Sequence, residues 1–237
     1  MLNPKRKNAQ ILICAFFILT ELSLYVAIQA SSGFFERLVC FFSVVCAALF
    51  ALLHLNKKKE SILTVLALGF TVCADVFLVL LAEQQRLLAM CFFSLVQICY
   101  FVRILLENTN KATRTLHIST RAFALVLALV LTLSVLGDGA DALSVVSMLY
   151  FANLIVNIVF AFVGFKKTPL LAIGLLSFAM CDVLVGLSLI DMYIPIAEDS
   201  FIYKITHTGF NLIWTFYVPS QTLIALSAAK LKYRETT

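Results

Sequence analysis

Residues 61–82 read SILTVLALGFTVCADVFLVLLA and contain a single charged side chain, Asp75. A helix needs about 20 mostly apolar residues to cross the roughly 30 Å hydrocarbon layer of a bilayer. This stretch has that length, and its apolar residues run continuously instead of alternating as they do in the strands of a membrane barrel. It is therefore predicted to be a transmembrane helix.

The rest of the chain has the same character. Of the 237 residues, 62% are hydrophobic and 13% are charged, and the mean hydropathy is +1.01, whereas a soluble domain is about half apolar and about a quarter charged. We therefore expect residues 1–237 to form one transmembrane domain, an all-α polytopic bundle of about eight helices. The predicted spans lie near residues 10–30, 38–55, 61–82, 87–106, 120–136, 143–165, 168–190 and 205–226.

The basic residues predict how the spans are oriented. Lys and Arg accumulate on the cytoplasmic side of membrane proteins, and 15 of the 18 basic residues lie in or beside alternate loops and at the two ends of the chain. The exceptions are Arg37, Arg86 and Lys204, and the other set of loops is acidic. Both termini are therefore predicted to be cytoplasmic. The net charge of +5 follows from this distribution and requires no nucleic-acid partner.

We expect a multi-pass protein of the plasma membrane, although an internal membrane of a eukaryote would give the same charge pattern. The sequence leaves the oligomeric state open. All seven cysteines fall in predicted spans, which favours packing roles over disulfides or a metal site. The histidines, His54, His117 and His207, lie near predicted span ends. There a solvated imidazole is expected, and no two of them have the spacing of metal ligands.

Short matching motifs suggest a parallel repeat of four helices and four helices. Residues 73–76, CADV, in the third span correspond to residues 180–183, MCDV, in the seventh. The next spans continue the match with FSLV at 93–96 and FNLI at 210–213. Such duplications are known in membrane folds.

Three acidic residues lie inside the spans: Glu21, Asp75 and Asp182. An Asp at the centre of a lone helix costs about 2.5–3.5 kcal/mol on insertion scales, so each acid is expected to face other helices or a hydrated cavity. Asp75 and Asp182 each lie 14 residues from the start of their span, which is roughly 21 Å along a helix. Two acids at one depth indicate function more than packing. For Glu21 both interpretations stand.

Polar residues on neighbouring spans are placed to contact these acids. They form three stripes at helical spacing, which are Tyr150, Asn153 and Asn157 in the sixth span, Gln97 and Tyr100 in the fourth, and Trp214, Tyr217 and Gln221 in the eighth. An intramembrane Asn or Gln more often joins helices than binds a ligand, and that alternative stays open for Asn153, Asn157 and Gln97. The sequence has no GxSxG or HExxH motif, so any catalysis would depend on carboxyl groups.

Three stretches together resemble the YhhN-like lysoplasmalogenase family. They are residues 68–80 (LGFTVCADVFLVL), 171–187 (LAIGLLSFAMCDVLVGL) and 214–227 (WTFYVPSQTLIALS). The first two are apolar helices in which Asp follows a small residue, and the third is an aromatic helix with Tyr217 and Gln221. The resemblance extends from the third span to the end of the chain. The sequence departs from the family pattern at Ala74, where Gly is usual, at Cys181, where Ser is usual, and at Gln97, where His is common.

The resemblance implies hydrolysis of the vinyl ether bond of a lysoplasmalogen, which gives a fatty aldehyde and a glycerophospho-head group. On this hypothesis the substrate is a membrane lipid, Asp75 and Asp182 divide acid and base catalysis, and no metal or cofactor is required. The residues expected to orient the water or the head group are Tyr217, Gln221, Gln97, Tyr100, Asn211 and Asn153.

The chemistry of the bond fits two carboxyl groups. A vinyl ether is cleaved by protonation of its outer alkene carbon, and water captures the resulting oxocarbenium ion; glycosidases handle a related cation with two carboxyl groups. The same buried acids would also suit a proton-coupled transporter or a lipid-binding membrane protein, and a structural protein without turnover is a third alternative. Broken helices in matched halves would favour transport, whereas a pocket open to lipid would favour the enzyme.

Overall fold

The computed structural model describes residues 4–81, 85–108, 110–189, 196–197, 199–206, 208 and 210–233. Within those ranges the regular structure is entirely helical, with no strand. His207, one of the three histidines considered above, lies outside the described residues.

In chain order the helices are α1 (Pro4–Ala30), α2 (Gly33–Leu53), α3 (Lys59–Asp75), α4 (Arg86–Glu107), α5 (Lys111–Leu136), α6 (Ala142–Val163), α7 (Pro169–Leu189), α8 (Phe201–Thr206) and α9 (Leu212–Tyr233). The chain continues from α3 as a π-helix over Val76–Leu80, and α5 is followed by a 3-10 turn over Gly137–Gly139. Apart from the short α8, these helices are long and apolar enough to cross a membrane. The predicted all-α bundle of eight spans is therefore confirmed.

Four helices begin at least five residues from the predicted start of their span. α1 begins at Pro4 instead of near residue 10 and α2 at Gly33 instead of near residue 38, and the differences at α5 and α9 are larger. α5 begins at Lys111 instead of near residue 120, because the side chain of Asn110 accepts a hydrogen bond of 2.9 Å from the main-chain nitrogen of Ala112 and caps the helix. α9 begins at Leu212 instead of near residue 205. Just before it, the side-chain amide of Gln29 forms two hydrogen bonds of 3.0 Å with the main chain of Asn211, which anchors the start of α9 to α1.

Successive spans alternate in direction, so their ends form two opposite faces of the bundle. We call the face with the α2–α3 loop, which carries Lys57, Lys58 and Lys59, the basic end. The face where α1 ends and α2 begins is the acidic end. That the basic end is cytoplasmic stays a prediction, as does the repeat of four helices and four helices.

The most extensive helix contacts in the bundle join α7 to α9 and α3 to α4. Gly174 allows α7 to approach α9 closely, because a Cβ there would lie 2.8 Å from Cγ1 of Ile224 and 3.2 Å from the carbonyl oxygen of Ser220. Small residues at such contacts are typical of packed membrane helices. By contrast α5 packs mainly on α6 and exposes large apolar side chains such as Phe123. The packed core therefore lies among the helices that carry Asp75 and Asp182.

Candidate active site

Asp75 is the last α-helical residue of α3, and its side chain is almost completely buried, at 1% exposure. The hydroxyl group of Tyr217, on α9, donates a hydrogen bond of 2.7 Å to Asp75 Oδ2. The backbone becomes π-helical directly after Asp75, over Val76–Leu80. Such turns are rare and are frequent at functional sites. A facing helix thus holds Asp75 where the backbone is irregular.

Asp182, on α7, has an equivalent partner. The hydroxyl group of Tyr150, on α6, donates a hydrogen bond of 2.5 Å to Asp182 Oδ2. Asp182 lies within a continuous helix and is only partly buried. Each acid therefore has a tyrosine from another helix, which provides the hydrogen bond that a carboxyl group needs away from water.

Aromatic rings connect the two pairs. The ring of Phe93 lies 5.9 Å from that of Tyr150 and 5.9 Å from that of Phe178. Phe178 in turn lies 5.6 Å from Tyr217. The two pairs therefore belong to one place in the bundle, and we call Asp75, Tyr217, Asp182 and Tyr150 the acid–tyrosine site.

Gln221 and Tyr100 are fully buried on the helices around this site. Gln221 follows Tyr217 by one turn of α9, so the two side chains share a face. The hydroxyl group of Tyr100, both polar atoms of the Gln221 amide and Oγ of Ser220 have no hydrogen-bond partner among the described residues. A buried polar group without a partner costs about 1–3 kcal/mol. The atoms of Tyr100 and Gln221 are therefore available to bind water or a polar part of a substrate, whereas Ser220 lies where α9 packs against Gly174.

Asn153 contacts a buried arginine, and Gln97 is linked to that arginine through Asn157. The guanidinium group of Arg121 donates to Oδ1 of Asn153 and, over 2.5 Å, to Oδ1 of Asn157. Nδ2 of Asn157 donates to the main-chain and side-chain oxygens of Gln97, each over 2.9 Å. These amides therefore connect α4, α5 and α6. Asn153 and Asn157 share a stripe with Tyr150, so the network lies beside the Asp182–Tyr150 pair, towards the basic end.

The structure corrects the expectation of solvated histidines. His117 is fully buried and stacks on Phe160 with ring centroids 4.0 Å apart, because the early start of α5 brings it into the bundle. His54 is also buried, and its Nδ1 lies 2.9 Å from the carbonyl oxygen of Phe50. Within the described residues, no group of three His, Cys, Asp or Glu side chains is arranged to hold a metal ion.

Glu21, the third acid of the spans, is buried and joins α1 to α2. The hydroxyl group of Ser43 donates a hydrogen bond of 2.6 Å to Glu21 Oε2. This contact does not involve the acid–tyrosine site, and it gives Glu21 a role in packing the first two helices.

Asn211 lies at the acidic end, in the wall of a cavity of about 370 Å³. Leu184, Ser188 and Ile213 also line this cavity. The first two follow Asp182 along α7 by fewer than two helical turns, and Ile213 precedes Tyr217 by about one turn of α9. The cavity therefore lies one to two helical turns from the acid–tyrosine site, towards the acidic end, and its lining includes none of the four residues of that site.

A model of the YhhN family matches residues 35–228, a range that includes both acids and both tyrosines of the site. The chain belongs to the YhhN family. Comparisons with curated proteins and with solved structures found no match. Membership of the YhhN family confirms the resemblance found in the three sequence stretches. The structure adds that the first and third stretches meet through Asp75 and Tyr217, and the second and third through Phe178 and Tyr217.

The sequence of this YhhN-family chain placed Tyr150 among the possible partners of the acids, but not among the residues expected to orient the water or the head group. The signal was present, because Tyr150 begins the stripe with Asn153 and Asn157. Arg121 was grouped with the loop residues because the fifth span was predicted to start near residue 120. Glu36, beside Asn211 in the cavity wall, belongs to no motif, and no signal in the sequence distinguishes it.

Proposed function

We propose that this YhhN-family protein is a membrane-embedded hydrolase that cleaves the vinyl ether bond of a lysoplasmalogen-type lipid. The observation that carries the proposal is the pair of acids, each held by a tyrosine from another helix within a bundle of eight spans. The resemblance to lysoplasmalogenases supports the choice of bond, and family membership supports the resemblance.

In the proposed reaction, one carboxylic acid gives its proton to the alkene carbon farther from the ether oxygen. The positive charge is then shared between the other alkene carbon and the ether oxygen. The second carboxyl group, which is ionised, stabilises this cation and takes a proton from the water that attacks it. As the hemiacetal collapses, that proton passes to the departing glycerol oxygen, and the hemiacetal hydroxyl group returns a proton to the first acid. The products are a fatty aldehyde and the glycerophospho-head group.

The tyrosines leave each acid free to react. Both hydroxyl groups donate to Oδ2. Oδ1 of each carboxyl group accepts no hydrogen bond from a described residue, so this oxygen can give or take a proton. The unpartnered amide of Gln221 and hydroxyl group of Tyr100 supply polar atoms to orient the water. General acid or base catalysis of this kind contributes about 10²–10⁴-fold to a rate.

The deciding measurement is aldehyde release from protein purified into lipid nanodiscs and supplied with lysoplasmalogen. A saturated ether analogue serves as the substrate control, since it cannot be protonated to an oxocarbenium ion. Asp75→Asn and Asp182→Asn should each lower the rate by about 10²–10⁴-fold. Asp138→Asn makes the same chemical change on the exposed turn after α5 and should leave the rate unchanged.

The position of the transferred proton gives a second test. In deuterium oxide, trapped aldehyde should carry one deuterium on the carbon next to the carbonyl group, because that carbon receives the acid's proton. No aldehyde from folded wild-type protein across a pH series would contradict the proposal. That result would favour a transporter or a lipid-binding protein that uses the same acids.

A further inference from the structure

The cavity at the acidic end lies where α1, α7, α8 and α9 meet, with the first turn of α2 at its wall. Its lining combines apolar side chains, such as Leu184 and Ile213, with polar side chains that include Gln29 and Asn211. A volume of about 370 Å³ is within the range of pockets that bind small ligands. This part of the site is not used by the chemistry proposed above.

Glu36 places a fixed negative charge in the cavity wall. Nδ2 of Asn211 donates a hydrogen bond of 2.8 Å to Glu36 Oε1, and Gln29 holds the main chain of Asn211 with two hydrogen bonds of 3.0 Å. Glu36 forms no salt bridge with a basic side chain in the described part of the chain. The carboxylate is therefore held in position while its charge is left without a cationic partner.

The spacing between Glu36 and the acids suits the two ends of one lipid head group. Cys40 follows Glu36 by four residues of α2, or roughly 6 Å of helix, and it belongs to one buried cluster with Val218, the residue after Tyr217. On the other wall, Ile213 precedes Tyr217 by four residues on the same face of α9, or roughly 6 Å along the helix. A glycerophospho-head group that reaches from the acid–tyrosine site towards the acidic end would bring its terminal group to Glu36.

We propose that this cavity binds the cationic end of the lipid head group and that Glu36 is the residue that selects it. A terminal ammonium group, as in a choline or ethanolamine head group, would pair with the carboxylate, whereas a head group with a net negative charge would be repelled. The choice of a lysolipid as ligand rests on the proposed function. The charge preference rests on the cavity and on Glu36.

Binding can be measured without turnover by using saturated alkyl-ether lysolipids in nanodiscs. Trp214 is the only tryptophan of the chain, and its main-chain nitrogen lies 3.4 Å from Oδ1 of Asn211, so its fluorescence should report occupation of the cavity. Two probes of similar size suffice: alkyl-ether lysophosphocholine and alkyl-ether lysophosphoglycerol. Glu36→Gln removes the charge but keeps an oxygen that accepts the hydrogen bond from Asn211. Glu60→Gln is the matched control, because Glu60 occupies the first turn of α3 as Glu36 occupies that of α2.

Glu36→Gln should bind lysophosphocholine roughly fivefold more weakly, the upper range for a partly exposed ion pair, and should bind lysophosphoglycerol as well as wild type does or better. Glu60→Gln should change neither. Equal weakening for both probes, or no change for either, would overturn the proposal. Selective weakening in a protein that releases no aldehyde would keep the cation site and reject the hydrolase. Aldehyde release without selective weakening would do the reverse.

Discussion

The two acid–tyrosine pairs share one kind of contact but sit in different surroundings. Tyr217 reaches Asp75 from α9, Tyr150 reaches Asp182 from α6, and each hydroxyl group donates to Oδ2. Asp75 is 1% exposed and directly precedes a π-helical segment. Asp182 is partly exposed and lies inside a regular helix. Two carboxyl groups with similar partners can take different roles, one as a proton donor and one as an ionised group, when their surroundings differ in this way.

The difference suggests which acid has which role. A neutral carboxyl group costs less to bury than an ionised one, so we assign proton donation to Asp75, the more deeply buried of the two. In the proposed reaction, the partly exposed Asp182 would then be the ionised group that stabilises the cation and activates water. The predictions that follow challenge this assignment, beginning with the largest expected effect.

The most direct challenge removes each carboxyl group and offers a small replacement. Asp75→Ala and Asp182→Ala should each lower aldehyde release by about 10²–10⁴-fold. Added formate should restore part of the rate only in Asp182→Ala, because an ionised base can be replaced by a diffusible carboxylate that reaches a partly exposed site. Acetate, which is larger, serves as the size control. Recovery in Asp75→Ala alone would reverse the assignment.

Removing the tyrosine hydroxyl groups should also affect the two acids unequally, with smaller losses of rate than removal of the carboxyl groups. A hydrogen bond to a charged group contributes about 1.5–3 kcal/mol, whereas one between neutral groups contributes about 0.5–1.5 kcal/mol. If Asp182 is ionised and Asp75 neutral, Tyr150→Phe should lower kcat by about ten- to a hundredfold and Tyr217→Phe by about two- to tenfold. Steady-state kinetics on both variants measures the ratio, and equal losses would show that the two acids carry the same charge.

The fold and the acids could be predicted from the sequence because both depend on strong local signals. An apolar run as long as residues 61–82 is best explained as a transmembrane helix. A carboxyl group inside such a helix is costly in free energy to place in the bilayer, which favours a functional role for it. The start of α5 was harder to predict. Residues 111–119 are mostly polar, but the cap at Asn110 extends the helix through them, and the extension contains His117, which is fully buried.

The pairing of side chains was less accessible, since it depends on which helices face one another. The stripe from Tyr150 to Asn157 defines one face of α6, yet the sequence does not say that the first residue meets Asp182 on α7 while the others meet Arg121 on α5. Asn211 illustrates the same gap, because its partners Gln29 and Glu36 come from α1 and α2. Contacts between distant segments are set by packing, not by spacing along the chain.

A substitution at Gly174 would change the distance between the two acid–tyrosine pairs without altering a residue of either pair. It lies at the contact of α7, which carries Asp182, with α9, which carries Tyr217. Gly174→Ala would place Cβ 2.8 Å from Cγ1 of Ile224, and overpacking of this kind costs about 1–3 kcal/mol. We expect a lower thermal unfolding temperature and a loss of activity, because α7 and α9 must move apart.

The control for this change lies on the same helix. Gly186→Ala introduces a methyl group with no atom within 4 Å and should raise helix stability by up to about 1 kcal/mol. Differential scanning fluorimetry in nanodiscs measures both variants. Equal unfolding temperatures for the two would show that the α7–α9 contact is loose enough to adjust, and the separation of the pairs would then not depend on it.

The smallest expected effect concerns Gln221. The sign of the change in stability on its substitution distinguishes a role in binding water from a role in joining helices. The amide is fully buried, and neither of its polar atoms has a partner among the described residues. If Gln221 orients water beside the Asp75–Tyr217 pair, Gln221→Leu should raise stability by about 1 kcal/mol, since an unpaired buried group is removed, and should lower kcat a few-fold. Ser220→Ala, beside it, removes another unpartnered atom and should leave kcat unchanged. If instead Gln221 joins helices, Gln221→Leu should lower stability by about 0.6 kcal/mol, the average for such bonds in membranes.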